Sequence, residues 1–295
     1  MKELIKHPKG NPDVVTNNQN RHTSHLKNIG WYYYRYYYKD LDKESSKNEF
    51  KEKNDALSLC SLNDIKKPVQ PNSNTSFHLI TVYPGLLIGT GTSHESGSSE
   101  KSGEFKLGLS FDYTSGLPVI PGSSLKGLLR SAFPYSIEKK SGKEEKMLEE
   151  NYRTPRKEYI QSVLAELKNE KDESIKIDVS FQEVINIEKE IFDGMDKKGK
   201  NIPVYKRDIF FDAFPVEQTG KSFLGSDFIT PHKDPLKNPL PIQFMKIMPK
   251  VKFGFYFKLN DGILTVAQKE ALFRRILLDF GIGAKTNVGY GQFTK

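Results

Sequence analysis

Alternation of apolar and polar residues predicts several extended segments along this chain. The pattern is clearest near its end, where Val251, Phe253, Phe255 and Phe257 share one side of a run. Alternation with a period of two is typical of a strand with one buried face. The strands predicted in this way cover residues 76–84, 107–113, 208–217, 226–234 and 242–259, and a short terminal strand follows Gly291.

Apolar residues at helical spacing predict two helices between these strands. One begins near Ser123 and ends before Pro134, and the other, the clearest amphipathic pattern in the chain, covers residues 265–279. Strand, helix and strand therefore follow one another twice, and each helix adjoins a glycine-containing junction. This order predicts an α+β fold of the ferredoxin-like βαββαβ type, with an antiparallel sheet and helices on one face.

Highly charged segments flank and interrupt this region. Residues 1–75 predict a loose N-terminal arm followed by a helical extension, which is richest in helix formers from Lys39 to Leu62. Residues 76–295 predict one ferredoxin-like domain. Within that domain, residues from about 138 to 206 predict a charged insertion with a helical part at 144–168.

Composition narrows the class of partner. The 45 Lys plus Arg residues against 37 Asp plus Glu give a formal charge of +8, which favours a polyanion such as nucleic acid.

The single cysteine, Cys60, excludes an internal disulfide and any zinc site made of several thiolates. With no apolar leader and no membrane-spanning run, the sequence predicts a cytoplasmic protein without membrane contact, metal or other cofactor.

The first candidate binding site is the stretch IPGSSLKGLLR, residues 120–130. Its glycines permit close backbone approach, and the free N–H groups at the start of the helix can receive phosphate oxygens. Two cations four residues apart share one helical face, and residues 113–137 include no acid. The alternative is that these cations are solvated charges of an ordinary amphipathic helix. The candidate residues are Gly122, Ser123, Ser124, Lys126, Gly127 and Arg130.

The second candidate binding site is GIGAKTNVGYG, residues 281–291. Its four glycines predict positive φ angles or contact with another backbone, and residues 280–295 include no acid. A dinucleotide site is excluded because the glycines follow a helix C-terminus. A Walker-type phosphate-binding loop is excluded as well, because no GxxxxGK[ST] run is present. A tight turn with purely structural glycines is the alternative. The candidate residues are Gly283, Lys285, Thr286, Asn287 and Tyr290.

The aromatic run WYYYRYYYK, residues 31–39, is a third element with two interpretations. Its rings and cations could stack the bases of single-stranded RNA. On a helix, however, Ile29, Tyr33, Tyr36 and Tyr37 would form one packing face. We therefore favour packing in the core or at a subunit interface.

Scattered histidines and aspartates are weaker candidates for catalysis. The best placed is His232 beside Lys233, in a turn between prolines, where shaping the loop or contacting phosphate is favoured over acid–base catalysis. Asp112 is the candidate for metal-dependent cleavage. The others are His78, His94, Asp208, Asp212, Asp227 and Asp234.

The two glycine-containing stretches carry a specific resemblance. IPGSSLKGLLRSAF resembles the first-helix motif of RAMP proteins, and GIGAKTNVGYGQF resembles their C-terminal glycine-rich loop. Between them, a DA-P turn at Asp212, a D-TPH element at Asp227 and a P-PI-F segment at Pro239 resemble one branch, the sixth RAMP subunit of the Cmr, or type III-B, CRISPR complexes. The resemblance covers residues 76–293, and residues 138–206 are unmatched.

This resemblance implies a non-catalytic subunit that binds guide RNA (crRNA) near its 3′ end. Its partners would be crRNA, target RNA and the neighbouring backbone and head RAMP subunits. RNA phosphates would be held by the two candidate sites together with His232 and Lys233, and we expect those two sites to lie side by side in the folded chain. The alternatives are a RAMP-family crRNA-processing endoribonuclease that uses His232, and a metal-dependent backbone nuclease that uses Asp112.

Overall fold

The computed structural model describes most of the chain and supports an α+β fold. It describes residues 28–39, 46–65, 71–89, 109–134, 143–168, 173–229 and 242–295, with the single residues 26, 68 and 171. Among these residues, no helix combines the length and apolar character needed to cross a bilayer. The predicted residues His232 and Lys233 lie outside the described ranges.

Seven strands and seven α-helices make up the described fold. The strands are β1 (Thr75–Thr81), β2 (Ile209–Phe210), β3 (Phe214–Gln218), β4 (Leu224–Ile229), β5 (Ile242–Ile247), β6 (Val251–Lys258) and β7 (Phe293–Thr294). The helices are α1 (Ile29–Trp31), α2 (Ser46–Ser58), α3 (Gly122–Ser131), α4 (Lys143–Leu148), α5 (Thr154–Glu166), α6 (Phe181–Glu188) and α7 (Val266–Phe280). π-Helical turns at Tyr32–Tyr36, Glu149–Arg153 and Lys189–Asp193 continue α1, α4 and α6.

The main sheet has the predicted ferredoxin-like order. β1 lies between β6 and β7 and pairs antiparallel with both, while β2 and β3 pair antiparallel with the other edge of β6. With α3 between β1 and β2, and α7 between β6 and β7, the connectivity is βαββαβ. The α+β, ferredoxin-like prediction is confirmed. β4 and β5 form a separate two-stranded hairpin.

Aromatic packing places α7 on one face of this sheet. Phe273 of α7 lies 5.5 Å from the ring of Phe257 and 5.6 Å from that of Phe210, measured between ring centroids. Phe77 stacks on Phe257 from the neighbouring strand, at 5.6 Å. The helix begins at its Thr265 cap, which accepts from the amide of Gln268 and completes a capping box. The predicted face Val251, Phe253, Phe255 and Phe257 is buried as expected.

Two extended segments differ from their predictions. Residues 109–113 do not form a strand: Phe111 makes one isolated bridge to Pro118, and a tight turn follows. The carboxylate of Asp112 accepts from both the amide and the hydroxyl of Ser115, at 2.6 and 2.7 Å, and this closes the turn. The run 242–259 is divided into β5 and β6 by a turn that includes Lys250 at a φ of 63°.

The charged insertion and the N-terminal segment pack into the same hydrophobic cluster as the sheet. The predicted helical part at 144–168 corresponds to α4, a π-helical turn and α5, and Ile160 and Leu164 are fully buried. In the aromatic run, Tyr33 and Tyr37 are buried with Ile29, as the packing interpretation predicts. Tyr36 was placed wrongly on that face, because its side chain is exposed.

Candidate nucleic-acid interface

The glycine loop, residues 281–291, is a conformationally fixed connection between α7 and β7. All four of its glycines have positive φ, and so does Lys285, at 59°. A Cβ at Gly283 would overlap the carbonyl oxygen of Leu87, and one at Gly291 would overlap that of Ile282. The prediction of positive φ and close backbone contact is therefore confirmed at these positions.

Backbone hydrogen bonds fasten the glycine loop to the segment that follows β1. The amide of Ala284 donates to the carbonyl of Leu87 at 3.0 Å, and the amide of Gly291 donates to the carbonyl of Gly85 at 2.8 Å. Across the base of the loop, the amide of Tyr290 donates to the carbonyl of Lys285 at 3.3 Å. The loop is consequently held from both ends, while its tip, residues 283–289, faces solvent.

The tip of the glycine loop presents groups suited to an anion. In the loop, the amides of Gly283, Lys285, Thr286 and Asn287 donate no backbone hydrogen bond to any residue that the structure describes. The side chain of Lys285 adds a positive charge beside these amides. Successive amides in such a turn form a concavity that favours phosphate oxygens, so the loop can hold a sugar-phosphate chain.

Tyr290 anchors the loop through a polar cluster on the β4–β5 hairpin. Its ring packs against Phe244, and its hydroxyl donates to Asp227 Oδ2 at 2.8 Å. Lys246 Nζ lies 2.6 Å from the same oxygen and near the rings of Tyr290 and Tyr83. The buried Tyr290 ring therefore has a structural role. Sequence reasoning missed its pairing with Asp227 and Lys246, because these two residues come from separate strands.

Titration in this cluster follows from its geometry. Partial burial disfavours the charged carboxylate of Asp227, but hydrogen bonds from Lys246 and Tyr290 outweigh it and lower the pKa of Asp227 below its ordinary value. Burial and the adjacent carboxylate raise the pKa of Tyr290. Asp227 is thus ionised at neutral pH, and its charge is balanced by Lys246.

The first candidate site, at the start of α3, already has a carboxylate bound to it. The amide of Gly122 donates to Asp212 Oδ1 at 2.7 Å, and a Cβ at Gly122 would overlap the carbonyl oxygen of Phe210. The neighbouring residues Ser123 and Ser124 are exposed. Although residues 113–137 include no acid, the helix start is not free of one, because Asp212 reaches it from the β2–β3 connection.

The two cations of α3 have different surroundings. Arg130 forms a two-point ion pair with Asp193, with N–O distances of 2.8 and 3.1 Å, and its Nε lies 3.6 Å from the buried Glu188. The Nζ atom of Lys126 lies 5.8 Å from the centroid of the Phe210 ring, and the Lys126 side chain is partly exposed. The insertion therefore neutralises Arg130, and Lys126 is the cation that α3 leaves available.

Gly127 is exposed, with open space where a side chain would begin.

The two glycine-containing sites do not lie side by side, contrary to expectation. Gly122 contacts Phe210, which pairs with Phe257 and hence lies level with Thr75 at the start of β1. The glycine loop leads into Phe293, which pairs with Thr81 at the end of β1. Counted along β1, these two contact levels are six residues apart, roughly 20 Å at the ordinary rise of a strand.

Two of the remaining sequence candidates have structural partners. Asp208 forms an ion pair with Lys269 at 2.7 Å, and Asp112 closes the turn described above. His78 is exposed on β1. The described residues include no group of three or more His, Cys, Asp or Glu side chains placed to hold a metal ion together.

The family of the chain follows from comparison with known proteins. A family model described as the RAMP superfamily matches residues 78–294, from β1 to β7. The chain belongs to the RAMP superfamily, and the resemblance of its first-helix and glycine-loop motifs is confirmed.

Within that superfamily the chain is similar to Cmr6 proteins. It is 28% identical over 207 residues to the CRISPR system Cmr subunit Cmr6 of Pyrococcus furiosus, covering 61% of this chain and 58% of the relative. It is 28% identical over 196 residues to the Cmr6 of Saccharolobus solfataricus, covering 64% and 49%. The chain thus spans about half the length of the curated relatives it matches.

Two solved structures are also similar to part of this chain. A chain of the cryo-EM structure of the Type III-B Cmr-beta bound to cognate target RNA is 24% identical, with 75% of this chain and 58% of that chain covered and a TM-score of 0.43. The crystal structure of Cmr6 from Pyrococcus furiosus is 22% identical, with 75% and 96% covered and a TM-score of 0.41.

Proposed function

We propose that this chain is a subunit of a type III-B CRISPR (Cmr) effector complex that binds crRNA near its 3′ end. In this role it contacts crRNA, target RNA and neighbouring RAMP subunits, and it acts in the cytoplasm. The similarity to two Cmr6 proteins supports the assignment to this kind of complex. The net charge of +8 is consistent with an RNA partner.

The single observation that carries the RNA-binding role is the fixed geometry of the glycine loop. Its backbone is fastened to Gly85 and Leu87, and four amides of its tip, with the partly exposed Lys285 beside them, make no backbone hydrogen bond to a described residue. A preformed set of donors binds phosphate with little loss of conformational entropy. Contacts of this kind hold the sugar-phosphate chain without reading bases, as a subunit that serves many guides requires.

Lys126 of α3, with the exposed Ser123 and Ser124, is proposed as a second contact. Strand register sets this surface about six residues of β1 away from the glycine loop. A single RNA strand that touches both sites must therefore span roughly 20 Å. Arg130 is assigned to the ion pair with Asp193 rather than to RNA.

Binding measurements with single-stranded RNA test this function. The wild-type chain, Lys285→Ala and the matched control Lys198→Ala are titrated against labelled crRNA at several salt concentrations; Lys198 is an exposed lysine of the insertion. Lys285→Ala should bind more weakly to every RNA sequence and reduce the slope of log affinity against log salt by about 0.7 for each phosphate that the lysine neutralises. Equal slopes for all three proteins would contradict the assignment of the loop.

We propose in addition that this subunit does not catalyse RNA cleavage. Asp112 uses its carboxylate to close a turn through Ser115, a structural role that supports this proposal. Target cleavage by a reconstituted complex carrying Asp112→Asn should persist. Loss of cleavage with assembly intact would favour the backbone-nuclease alternative.

The endoribonuclease alternative has a separate test. The purified chain is incubated with repeat RNA in EDTA, beside a His232→Ala variant. We expect no site-specific product from either protein. A defined cleavage product that the His232→Ala variant fails to form would assign acid–base catalysis to this chain.

A further inference from the structure

A second surface with binding character lies at the N-terminal aromatic segment. It is a groove of about 610 Å³ between the start of α1 with its π-helical turn and the tight turn at residues 111–116. The volume falls in the range typical of sites for small organic groups. The groove is lined by Asn28, Gly30, Trp31, Tyr34, Arg35, Phe111, Asp112 and Tyr113.

The two walls of the groove are fastened to each other. Gly30 donates through its amide to the carbonyl of Gly116 at 3.1 Å, and a Cβ on Gly30 would press on Phe111. The side chain of Asn28 accepts from the amide of Trp31 at 2.7 Å and donates to the carbonyl of Tyr113 at 3.4 Å. The backbone of both walls is thus positioned before any ligand arrives.

The exposed groups in this groove are planar rings and one cation. Tyr113 is 97% exposed and Trp31 is 56% exposed, although both belong to residue types that usually bury most of their surface. The Tyr34 hydroxyl donates to the carbonyl of Leu109 at 2.9 Å, which fixes that ring in the wall. Arg35 is exposed beside them and makes no ion pair with any residue in the described part of the chain.

We propose that this groove binds a base of single-stranded RNA, stacked on Trp31 or Tyr113 with Arg35 beside it. Exposed aromatic faces bind any base through its π-face, and an arginine adds a cation–π or phosphate contact. The groove is edged by a hydrogen-bond donor, the side-chain amide of Asn28, and by an acceptor, the carboxylate of Asp112. These groups suit the polar edge of a base better than a purely apolar protein side chain. The turn bearing Tyr113 also leads directly into α3, which carries Lys126.

This inference rests on the proposed RNA-binding function and extends it to base stacking. It assigns phosphate contacts to Lys285 and Lys126 and stacking to the groove. The two kinds of contact differ in their salt dependence, since phosphate contacts release counterions and stacking does not. A missing phosphate contact can therefore be distinguished from missing base stacking.

Trp31 is the only tryptophan among the 295 residues, so its fluorescence reports directly on the groove. The full chain is titrated with a single-stranded RNA and with an abasic oligoribonucleotide of the same length, with binding followed separately by anisotropy. A stacked base should quench Trp31 on RNA binding, whereas the abasic strand should bind through its phosphates and leave the emission unchanged. Free N-acetyltryptophanamide corrects for absorption by the RNA.

Affinities of variants complete the test. Tyr113→Ala, on an exposed side chain, should weaken binding of base-containing RNA on the order of 5- to 100-fold with an unchanged salt slope. The matched control Tyr205→Ala removes another exposed tyrosine and should have no effect. Unquenched Trp31 emission together with an unchanged RNA affinity of Tyr113→Ala would overturn the stacking inference. Weaker RNA binding by Lys285→Ala in the same experiment would still support the phosphate site.

Two further outcomes separate the alternatives. If a neighbouring Cmr subunit shifts the Trp31 emission in the absence of RNA, and RNA does not, the groove is a protein interface and the inference is wrong. If the wild-type chain binds neither strand, the RNA-binding function itself is contradicted together with the groove.

Discussion

The ammonium nitrogen of Lys269 lies 2.7 Å from Asp208 Oδ2, in an ion pair whose side chains are each 3% exposed. The same nitrogen donates to the carbonyl of Asn260 at 2.7 Å and lies 3.7 Å from Glu190 of the insertion. Through this one lysine, α7 is tied to the start of β2, to the β6–α7 connection and to the insertion. The helix that ends in the glycine loop is therefore fixed from its first turns.

Removing one member of this pair should destabilise the fold strongly. Lys269→Met leaves a buried carboxylate without its cation, and a loss of about 3–5 kcal/mol in the free energy of unfolding is expected. Urea denaturation measures the change. The double variant Lys269→Met with Asp208→Asn should recover part of the loss, and additive losses in the two single variants would show that the pair is not coupled.

Asp227 should contribute stability that depends on pH in a defined direction. Its pKa is lowered in the folded chain, so its contribution is present above the unfolded value of about 3.9 and is lost as pH falls through the lower folded value. Asp227→Asn should therefore reduce stability more at pH 6 than at pH 3, as measured by urea unfolding. An equal reduction at both values would argue against the ion pair with Lys246.

Two glycine-to-alanine substitutions should act in opposite directions. Gly291 has a φ of 73° and faces the carbonyl of Ile282, so Gly291→Ala should cost about 1–3 kcal/mol or more. Gly127 lies within α3 with open space around it, so Gly127→Ala should stabilise by about 0.5–1 kcal/mol. Thermal unfolding distinguishes the two, and a stable Gly291→Ala protein would mean that the loop is not fixed as described.

Cys60 should resist modification in the folded chain. Burial raises the pKa of the Cys60 thiol to about 12, and the side chain is 5% exposed, so little thiolate forms at neutral pH. Alkylation by iodoacetamide at pH 8 should be slow and should accelerate with urea in step with global unfolding. Rapid alkylation without denaturant would show that α2 opens away from the core.

The sequence was sufficient for the fold because its local signals agree with one another. The alternation around Phe255 and the amphipathic pattern of residues 265–279 are read from neighbouring residues, and both elements occur as expected. The electrostatic surroundings were not predictable in this way. Asp212 and Asp193 reach the start and end of α3 from segments more than 60 positions away, so an acid-free stretch of sequence did not make an acid-free site.

The aromatic run shows the same division between local and tertiary information. Helical spacing correctly predicted burial of Tyr33 and Tyr37, whereas the exposed groove between Trp31 and Tyr113 joins segments 82 positions apart. Relative placement of the two glycine-containing sites likewise needed strand register, which the sequence pattern does not specify.

The central claim is that the tip of the glycine loop touches the guide RNA in the assembled complex. Photo-crosslinking of a complex reconstituted with a crRNA carrying 4-thiouridine, followed by mass spectrometry of the crosslinked peptides, tests it most directly. Crosslinks within residues 283–289 that disappear or weaken in Lys285→Ala are predicted. A complex that assembles fully yet crosslinks this subunit only through surfaces remote from the loop, such as the turn at 196–200, would contradict the account.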